Sequence, residues 1–291
     1  MEYLRGNATA SASGLFVICR YLTSFENGQN EDDLRKSLQV LRSLTSSQNE
    51  TSAVLKASLA VGEGLGLVFR QDSSSSWMVD RSIAEHLSTV ADTWPWFRGE
   101  LLHRIGIAAL KDIEEGSQPS DLAIGLTWFL QLDPLRPPNL AWGSGPEKLV
   151  NELGFGAITR SEQWRPFQRW AIATGLAHRC EHREAKVLIP DASVAIADQL
   201  PHLPTAASAQ EWLSSLRTRL PFLGLAAFLT QLPQGGRDWE SLPPSVVFGL
   251  LKLERRGVLR MESPNDAVEV TAIRFGDMRR QVARISVGAS K

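Results

Sequence analysis

A chain of 291 residues is long enough for two or three compact units of ~100–150 residues each. Hydrophobic residues make up 43% of it and charged residues 22%, an ordinary globular mixture that can bury a core. The net charge of −1 excludes a uniformly basic nucleic-acid-binding protein, so any such contact must come from local patches. Cys19 and Cys180 are too few and too far apart for a disulfide framework, which predicts a cytoplasmic protein.

Neither a signal peptide nor a membrane span is expected. The N-terminal sequence MEYLRGNATASASG has no long apolar stretch behind a basic flank. The most apolar segment, residues 220–232, is interrupted by Pro221, Thr230 and Gln231. It also falls short of the ~20 apolar residues that a membrane-spanning helix needs. The sequence therefore predicts a protein that does not enter the membrane.

Three segments share one order of predicted elements: a helix, a glycine, an apolar strand, a polar turn and a second apolar strand. They are residues 52–80, 164–191 and 245–272. This order, placed after other helices, is the ending of a winged helix-turn-helix. Below, the first unit is residues 1–80, which include the helices before the first segment, and the middle and third units are the segments 164–191 and 245–272.

The third unit shows the local causes of this order. Its helix is predicted from an apolar stripe at helical spacing, formed by Val246, Leu250 and Leu253. Gly257 stands where a helix ends in a left-handed residue. Residues 259–262 alternate between apolar and polar side chains, as a half-buried strand does. Residues 263–266 form a turn cluster, and the expected return strand carries Val268 and Val270.

The rest of the chain is predicted to be helical. The expected helices outside the three units are 14–25, 31–44, 83–91, 97–115, 122–132, 146–153, 192–200, 211–219 and 220–232. A proline-rich connection at 132–139 is a candidate boundary. The prediction is a mainly α fold with short β-hairpins, in which two or three winged helix-turn-helix modules are joined by helical spacers. The expected divisions are an N-terminal winged-helix domain (1–80), a helical spacer (81–135), a middle winged-helix-like domain (136–191) and a C-terminal part with a further winged helix (192–291).

Charge divides unevenly between these units. Residues 1–80 hold seven basic and nine acidic residues, a balance of −2, whereas residues 252–291 hold nine and five, a balance of +4. Because phosphate contacts supply most nonspecific affinity for DNA, we predict DNA contact by the middle and third units and protein docking by the first. The candidate DNA-binding residues are Ser245, Lys252, Arg255, Arg256, Arg260, Arg165, Arg169, Arg183 and Lys186.

A winged helix usually places its third helix in the major groove. In the third unit Ser245, Gly249 and Lys252 fall on one face of the predicted helix. Small residues there would allow the helix to approach DNA closely, and the lysine would then contact a phosphate. This face is the expected DNA-facing side of the helix.

A weak metal candidate lies in the middle unit. On a regular strand His178, Cys180 and His182 share a face and offer nitrogen and sulfur ligands for zinc. Ligands two residues apart on one strand diverge, however, and a fourth ligand is not evident. The alternative is an ordinary polar strand on which Cys180 is half-buried.

Motifs of nucleotide binding and catalysis are not evident. Gly62, Gly64 and Gly66 follow a predicted helix and precede a strand, whereas phosphate-binding loops need the strand first and the helix second. The Trp94-Pro95-Trp96-Phe97 cluster could stack on bases, but a core position is the commoner role for such residues. We expect a protein that is not an enzyme and has no cofactor.

Several stretches resemble the DpdG family. They are GLFVICRYL, VNELG, the pattern W-x-x-F-x-x-W-A-x-x-x-G-L-A, IPDASVAIADQL and LERRGVLRMESPNDA, which together span nearly the whole chain. Members of this family are encoded in bacterial clusters that insert 7-deazaguanine derivatives into DNA and restrict unmodified DNA. The resemblance implies an accessory subunit in genome defence, beside helicase and nuclease components, and it carries no catalytic signature.

The sequence thus favours a non-catalytic winged-helix subunit of a bacterial defence complex that docks on DNA and binds partner proteins. One alternative is a winged-helix transcription regulator, which should form a symmetric dimer on a palindromic site. Another is a structural scaffold that binds proteins without salt-sensitive affinity for DNA. A metallohydrolase would depend on the weak metal candidate.

Overall fold

The computed structural model describes residues 2–38, 48–71, 75–89, 92–182, 185–233, 242–263 and 270–288. Its α-helices are α1 (Ala12–Leu22), α2 (Glu31–Ser37), α3 (Gln48–Gly64), α4 (Arg81–Thr89), α5 (Trp94–Glu114), α6 (Asp121–Leu130), α7 (Pro146–Leu153), α8 (Ser161–Ala173), α9 (Ser193–Gln199), α10 (Ala209–Arg219), α11 (Ala226–Leu229) and α12 (Pro244–Arg255). The strands are β1 (Val68–Gln71), β2 (Ser76–Val79), β3 (Ala177–His182), β4 (Ala185–Pro190), β5 (Ala206–Ser208), β6 (Leu259–Glu262), β7 (Thr271–Phe275), β8 (Met278–Val282) and β9 (Arg284–Val287).

The strands form small antiparallel sheets among the helices. The hairpins β1–β2, β3–β4 and β7–β8 each pair two neighbouring strands, and a three-stranded sheet has the order β5-β9-β6. The predicted fold class, mainly helical with short β-hairpins, is confirmed. Among the described helices, none has both the length and the apolar character that a bilayer crossing requires.

One junction recurs at the end of α3, α8 and α12. In each case a glycine with a left-handed backbone follows the helix: Gly66 (φ +63°), Gly175 (φ +74°) and Gly257 (φ +73°). The next amide then donates to the carbonyl five residues earlier, which is the hydrogen bond of a Schellman motif. The three bonds are Leu67 to Gly62 (2.8 Å), Leu176 to Ala171 (2.9 Å) and Val258 to Leu253 (3.0 Å). The predicted repetition of helix, glycine and strand is therefore confirmed at the level of backbone hydrogen bonds.

The core is continuous through the centre of the molecule. Every residue of α6 is buried, and the largest fully buried side chains include Trp164, Trp170, Trp212, Phe97 and Phe129. The N-terminal segment is fastened to this centre by Asp121. Its carboxylate accepts hydrogen bonds from the amides of Tyr3 (2.7 Å) and Leu4 (2.9 Å).

The third unit differs from the expected hairpin. Strand β6 pairs with β9, and β9 pairs with β5 on its other side. Val270 lies outside any strand and Val268 lies outside the described residues. The segment between β6 and β9 holds the separate hairpin β7–β8, which turns at Gly276 with φ +55°. In the described part of the chain, β6 finds its partner about 25 residues further along, in β9. Val270 therefore does not supply the predicted return strand, and the prediction for Val268 falls outside the described residues.

The predicted helices agree in most places with the structure. The spacers at 83–91, 97–115 and 122–132 correspond to α4, α5 and α6, and α7 ends at Gly154 with φ +61° as expected. The helix predicted over 220–232 is wrong, since Gly224 adopts φ +110° and separates a short 3-10 turn from α11. For the helix predicted over 31–44, the described part ends at Ser37, and residues 39–44 lie outside the description.

Candidate functional site

Helix α12 is covered by protein along most of its length. Every residue from Pro244 to Glu254 is buried or half-buried, because the helix packs against α6, α9, β6 and β7. The Ser245 hydroxyl is fully buried and donates to the Leu130 carbonyl at 2.7 Å. A methyl group on Gly249 would lie 2.8 Å from the Ser193 amide nitrogen. The small residues predicted to face DNA therefore serve packing within the protein, and Ser245 has no access to a phosphate.

Lys252 is bound to a buried carboxylate. Its Nζ lies 2.5 Å from Oδ2 of Asp191, a residue that is 1% exposed. The same oxygen lies 3.1 Å from Nε2 of His178, and Oδ1 accepts the Ser193 amide at 2.7 Å. We call Asp191, His178 and Lys252 the Asp191 cluster.

Electrostatics at the Asp191 cluster favour the ionised acid. Burial alone raises the pKa of Asp191, but hydrogen bonds from His178, Lys252 and Ser193 outweigh it and hold the pKa well below its ordinary value. The cluster joins α12 to strand β3 and to the start of α9. Lys252 is thus a structural cation, and its predicted role as a DNA contact is replaced by this internal ion pair.

The arginines that follow Lys252 are placed differently. Arg255 and Arg256 are exposed at the end of α12, and Arg260 is exposed on β6, where its Nε lies 3.4 Å from Glu262. A surface ion pair of this kind is weak. We call Arg255, Arg256 and Arg260 the α12-end arginines; they remain accessible to a polyanion.

In the middle unit the candidate DNA-binding residues differ in their contacts. Arg165 is exposed on α8. Arg169, one turn later, is also exposed, but it donates to the Ala8 carbonyl at 2.5 Å, and partial desolvation of its guanidinium lowers its pKa. Lys186 is exposed on β4 and lies opposite Glu181. Arg165 and Lys186 are therefore surface cations, Arg169 holds the N-terminal segment, and Arg183 lies outside the described residues.

The three residues of the weak metal candidate lie in different environments. His178 directs Nε2 to Asp191, Cys180 is half-buried and His182 is exposed. Within the described ranges, no group of three His, Cys, Asp or Glu side chains is arranged to hold a metal ion. The geometry gives His178 a role in the Asp191 cluster.

A cavity of about 510 Å³ lies between the N-terminal segment and the connection from α7 to α8. Its charged lining residues are Glu2, Arg5 and Asp121. Arg5 donates to the Gly156 carbonyl at 2.7 Å. Since Asp121 holds the N-terminal amides, these charged groups serve the attachment of the N-terminal segment.

The hairpin β7–β8 is a basic element within residues 252–291, the part of the chain with a charge balance of +4. Arg274 and Arg279 stand directly opposite each other in its register, and both are exposed. A sequence signal was present: the Gly276-Asp277 pair separates two short alternating runs, as in a two-residue hairpin turn.

These features define a mainly helical protein with three helix–glycine–strand junctions, a buried ionic cluster and exposed arginines in its third unit. The chain matches the DpdG-like family over residues 2–267 and belongs to that family. Membership associates it with the 7-deazaguanine DNA modification system. Neither the comparison with curated proteins nor that with solved structures gives a match.

Proposed function

We propose that this protein is a non-catalytic subunit of the 7-deazaguanine modification and restriction system that docks on the DNA backbone and binds a helicase or nuclease partner. In this proposal the repeated helix–glycine–strand units are winged-helix modules. The observation that carries it is the exposure of the α12-end arginines. They lie on ordered elements and are available to phosphate oxygens.

The burial of α12 favours contact with the backbone over recognition of bases. A recognition helix needs a free face to enter the major groove, and α12 offers no exposed residue before Arg255. Arginines at a helix end and on a strand can contact phosphates. Such contacts fix the position of a protein on DNA but do not specify the base sequence. Binding should therefore depend strongly on salt and weakly on sequence.

The first unit is the proposed docking site for a partner protein. A groove of about 600 Å³ opens between this unit and α4, and its apolar lining residues are Phe16, Val17, Tyr21 and Leu38 of the unit and Leu87 of α4. The acidic start of α2 holds Glu31, Asp32 and Asp33. An apolar groove on the unit with a negative charge balance suits a protein better than a nucleic acid.

Two other functions make different predictions. A transcription regulator should bind one palindromic site as a symmetric dimer and discriminate it from unrelated DNA. A scaffold should show no salt-sensitive affinity for DNA. The exposed arginines favour docking on DNA over a purely structural scaffold. The burial of α12 disfavours a transcription regulator that reads bases with this helix.

Fluorescence anisotropy with the full-length protein separates these functions. The probes are two labelled duplexes of unrelated sequence and a third that contains 7-deazaguanine derivatives, each titrated over a salt series. Docking on the backbone predicts similar affinities for the two unrelated duplexes and a steep loss with salt. No binding at low salt would overturn the DNA proposal. Strong preference for one sequence, with a dimer in sedimentation velocity, would favour the regulator.

A further inference from the structure

We propose that α8 is the helix of this protein that enters the DNA major groove, and that its residue Arg165 contacts the edge of an unmodified guanine there. This inference rests on the proposed function and deepens it, because it names the feature of DNA that the protein distinguishes. In the proposed function the α12-end arginines hold the DNA backbone, whereas Arg165 would read a base.

The same order of elements surrounds α3, α8 and α12. Each of these helices is preceded along the chain by a helix, an extended stretch and another helix. The extended stretch pairs antiparallel with the last strand of the sheet that follows: Gln29 with Trp77 of β2, Asn139 with Val187 of β4, and β5 with β9. A winged helix-turn-helix places the helix at this position in the major groove. The three helices are therefore the candidates for that role.

Exposure separates the three candidates. Helix α12 is buried or half-buried except for its last residue. The described side chains of α3 expose Lys56 and Glu63, whose charges balance. Helix α8 exposes two arginines, Arg165 and Arg169, against one acid, Glu162. Since DNA attracts positive charge, α8 suits the major groove better than the other two helices.

The opposite face of α8 holds the helix in place. Trp164, Phe167 and Trp170 are fully buried, and Nε1 of Trp164 donates to the Leu140 carbonyl at 2.9 Å. A helix packed along one face keeps its other face in a fixed position. Arg165 therefore projects from a rigid support, which reduces the entropy lost when it binds.

The two exposed arginines of α8 have different contacts. Arg169 donates to the carbonyls of Ala8 and Ala10, at 2.5 and 3.4 Å, and so holds the N-terminal segment. The charge that acts on Arg165 from its own helix is Glu162, three residues earlier. Both of these side chains are exposed, and solvent weakens an attraction of this kind. Arg165 is thus the arginine of α8 that can reach a base.

The chemistry of guanine explains what this arginine would distinguish. Guanine presents two acceptors, N7 and O6, at its major-groove edge, and an arginine binds both at once. A 7-deazaguanine has carbon in place of N7, so one acceptor is lost, and a substituent on that carbon projects into the same groove. Arg165 would therefore bind unmodified guanine and lose this contact at a modified one. Because guanine occurs in almost any duplex, one such contact is compatible with weak dependence on sequence.

Two duplexes of one sequence test this inference, the first with guanine and the second with 7-deazaguanine at the same positions. Fluorescence anisotropy with the full-length protein should show about tenfold weaker binding to the second duplex, the order of discrimination that a good arginine–guanine pair gives. The variant R165Q should bind both duplexes equally. The control R81Q removes an exposed arginine from α4 and should keep the wild-type preference.

The variant R255Q/R256Q/R260Q separates this inference from the proposed function, because it should weaken binding to both duplexes and leave their ratio unchanged. Salt-sensitive binding of the wild type with equal affinities for the two duplexes would overturn the inference and leave the proposed function in place. A preference retained by R165Q would also overturn it. Thermal melting should give R165Q the wild-type melting temperature, and a clear loss of stability would assign Arg165 to folding and contradict the inference. Absence of wild-type binding to either duplex would remove the proposed function as well.

Discussion

The carboxylate of Asp191, 1% exposed, receives the ammonium group of Lys252 at 2.5 Å although the two residues are 61 positions apart. His178 approaches the same oxygen from strand β3. This contact fixes α12 against the start of α9. Lys252, which the charge pattern predicts to contact DNA, therefore forms an ion pair within the protein.

Changing Lys252 to Met should destabilise the protein more than changing Asp191 to Asn. The first change leaves a buried carboxylate without its lysine partner, which costs about 3 kcal/mol. The second leaves Lys252, which is 25% exposed and can reach water. Urea unfolding of the two variants measures the difference, and the double variant should recover part of the loss. An equal or smaller effect of Lys252→Met would show that the ion pair contributes little.

The stability of the Asp191 cluster should depend on pH in one direction. The pKa of Asp191 is lowered in the folded protein by the hydrogen bonds of His178, Lys252 and Ser193, which outweigh burial. A lowered pKa contributes stability above the ordinary value of about 4, and this contribution is lost as the pH falls below it. The free energy of unfolding of the wild type should therefore exceed that of Asp191→Asn at neutral pH, and this difference should shrink as the pH falls below about 4. Urea unfolding at neutral and acidic pH tests this, and a constant difference would contradict it.

Substitution of Gly249 by Ala should destabilise α12. The added methyl group would lie 2.8 Å from the Ser193 amide nitrogen and 3.1 Å from the Ala192 carbonyl carbon, both of which are backbone atoms. Overpacking of this kind costs about 1–3 kcal/mol. Gly156→Ala is the matched control, because a methyl group there meets nothing within 4 Å. Thermal melting compares the two, and equal melting temperatures would argue against the tight packing of α12 on α9.

The two cysteines should differ in reactivity. Cys19 is fully buried, and burial raises its pKa to about 12 although Arg104 opposes the shift. Cys180 is half-buried on β3. Alkylation of the native protein followed by mass spectrometry should modify Cys180 first, and Cys19 should react only in denaturant. Modification of Cys19 at the rate of Cys180 would show that the core around α1 opens readily.

The features predictable from the sequence were local ones. Gly257 indicates the end of its helix because the Schellman motif depends only on neighbouring residues. Its left-handed glycine and its hydrogen bond from Val258 to the Leu253 carbonyl lie within a few residues of each other. Helices α4, α5 and α6 followed from apolar periodicity. The hairpin β7–β8 has an equally local turn signal at Gly276.

The site could not be predicted in the same way, because it depends on distant partners. Ser245 and Gly249 are as compatible with a DNA-facing helix as with a packed one. Only the positions of α6, which accepts the Ser245 hydroxyl, and of α9, which abuts Gly249, decide between them. The pairing of β6 with β9 requires closure of a long loop that sequence periodicity does not report. The contact between Asp191 and Lys252 joins residues 61 positions apart and leaves no mark in the local sequence.

The salt dependence of DNA binding by the α12-end arginines tests the central claim most directly. The variant R255Q/R256Q/R260Q is compared with wild type by fluorescence anisotropy on one labelled duplex, and Lys252 is left intact because its removal would disturb Asp191. If all three arginines contact phosphates, the log–log slope should become flatter by about 2.7. An unchanged slope in a folded variant would contradict docking through these arginines.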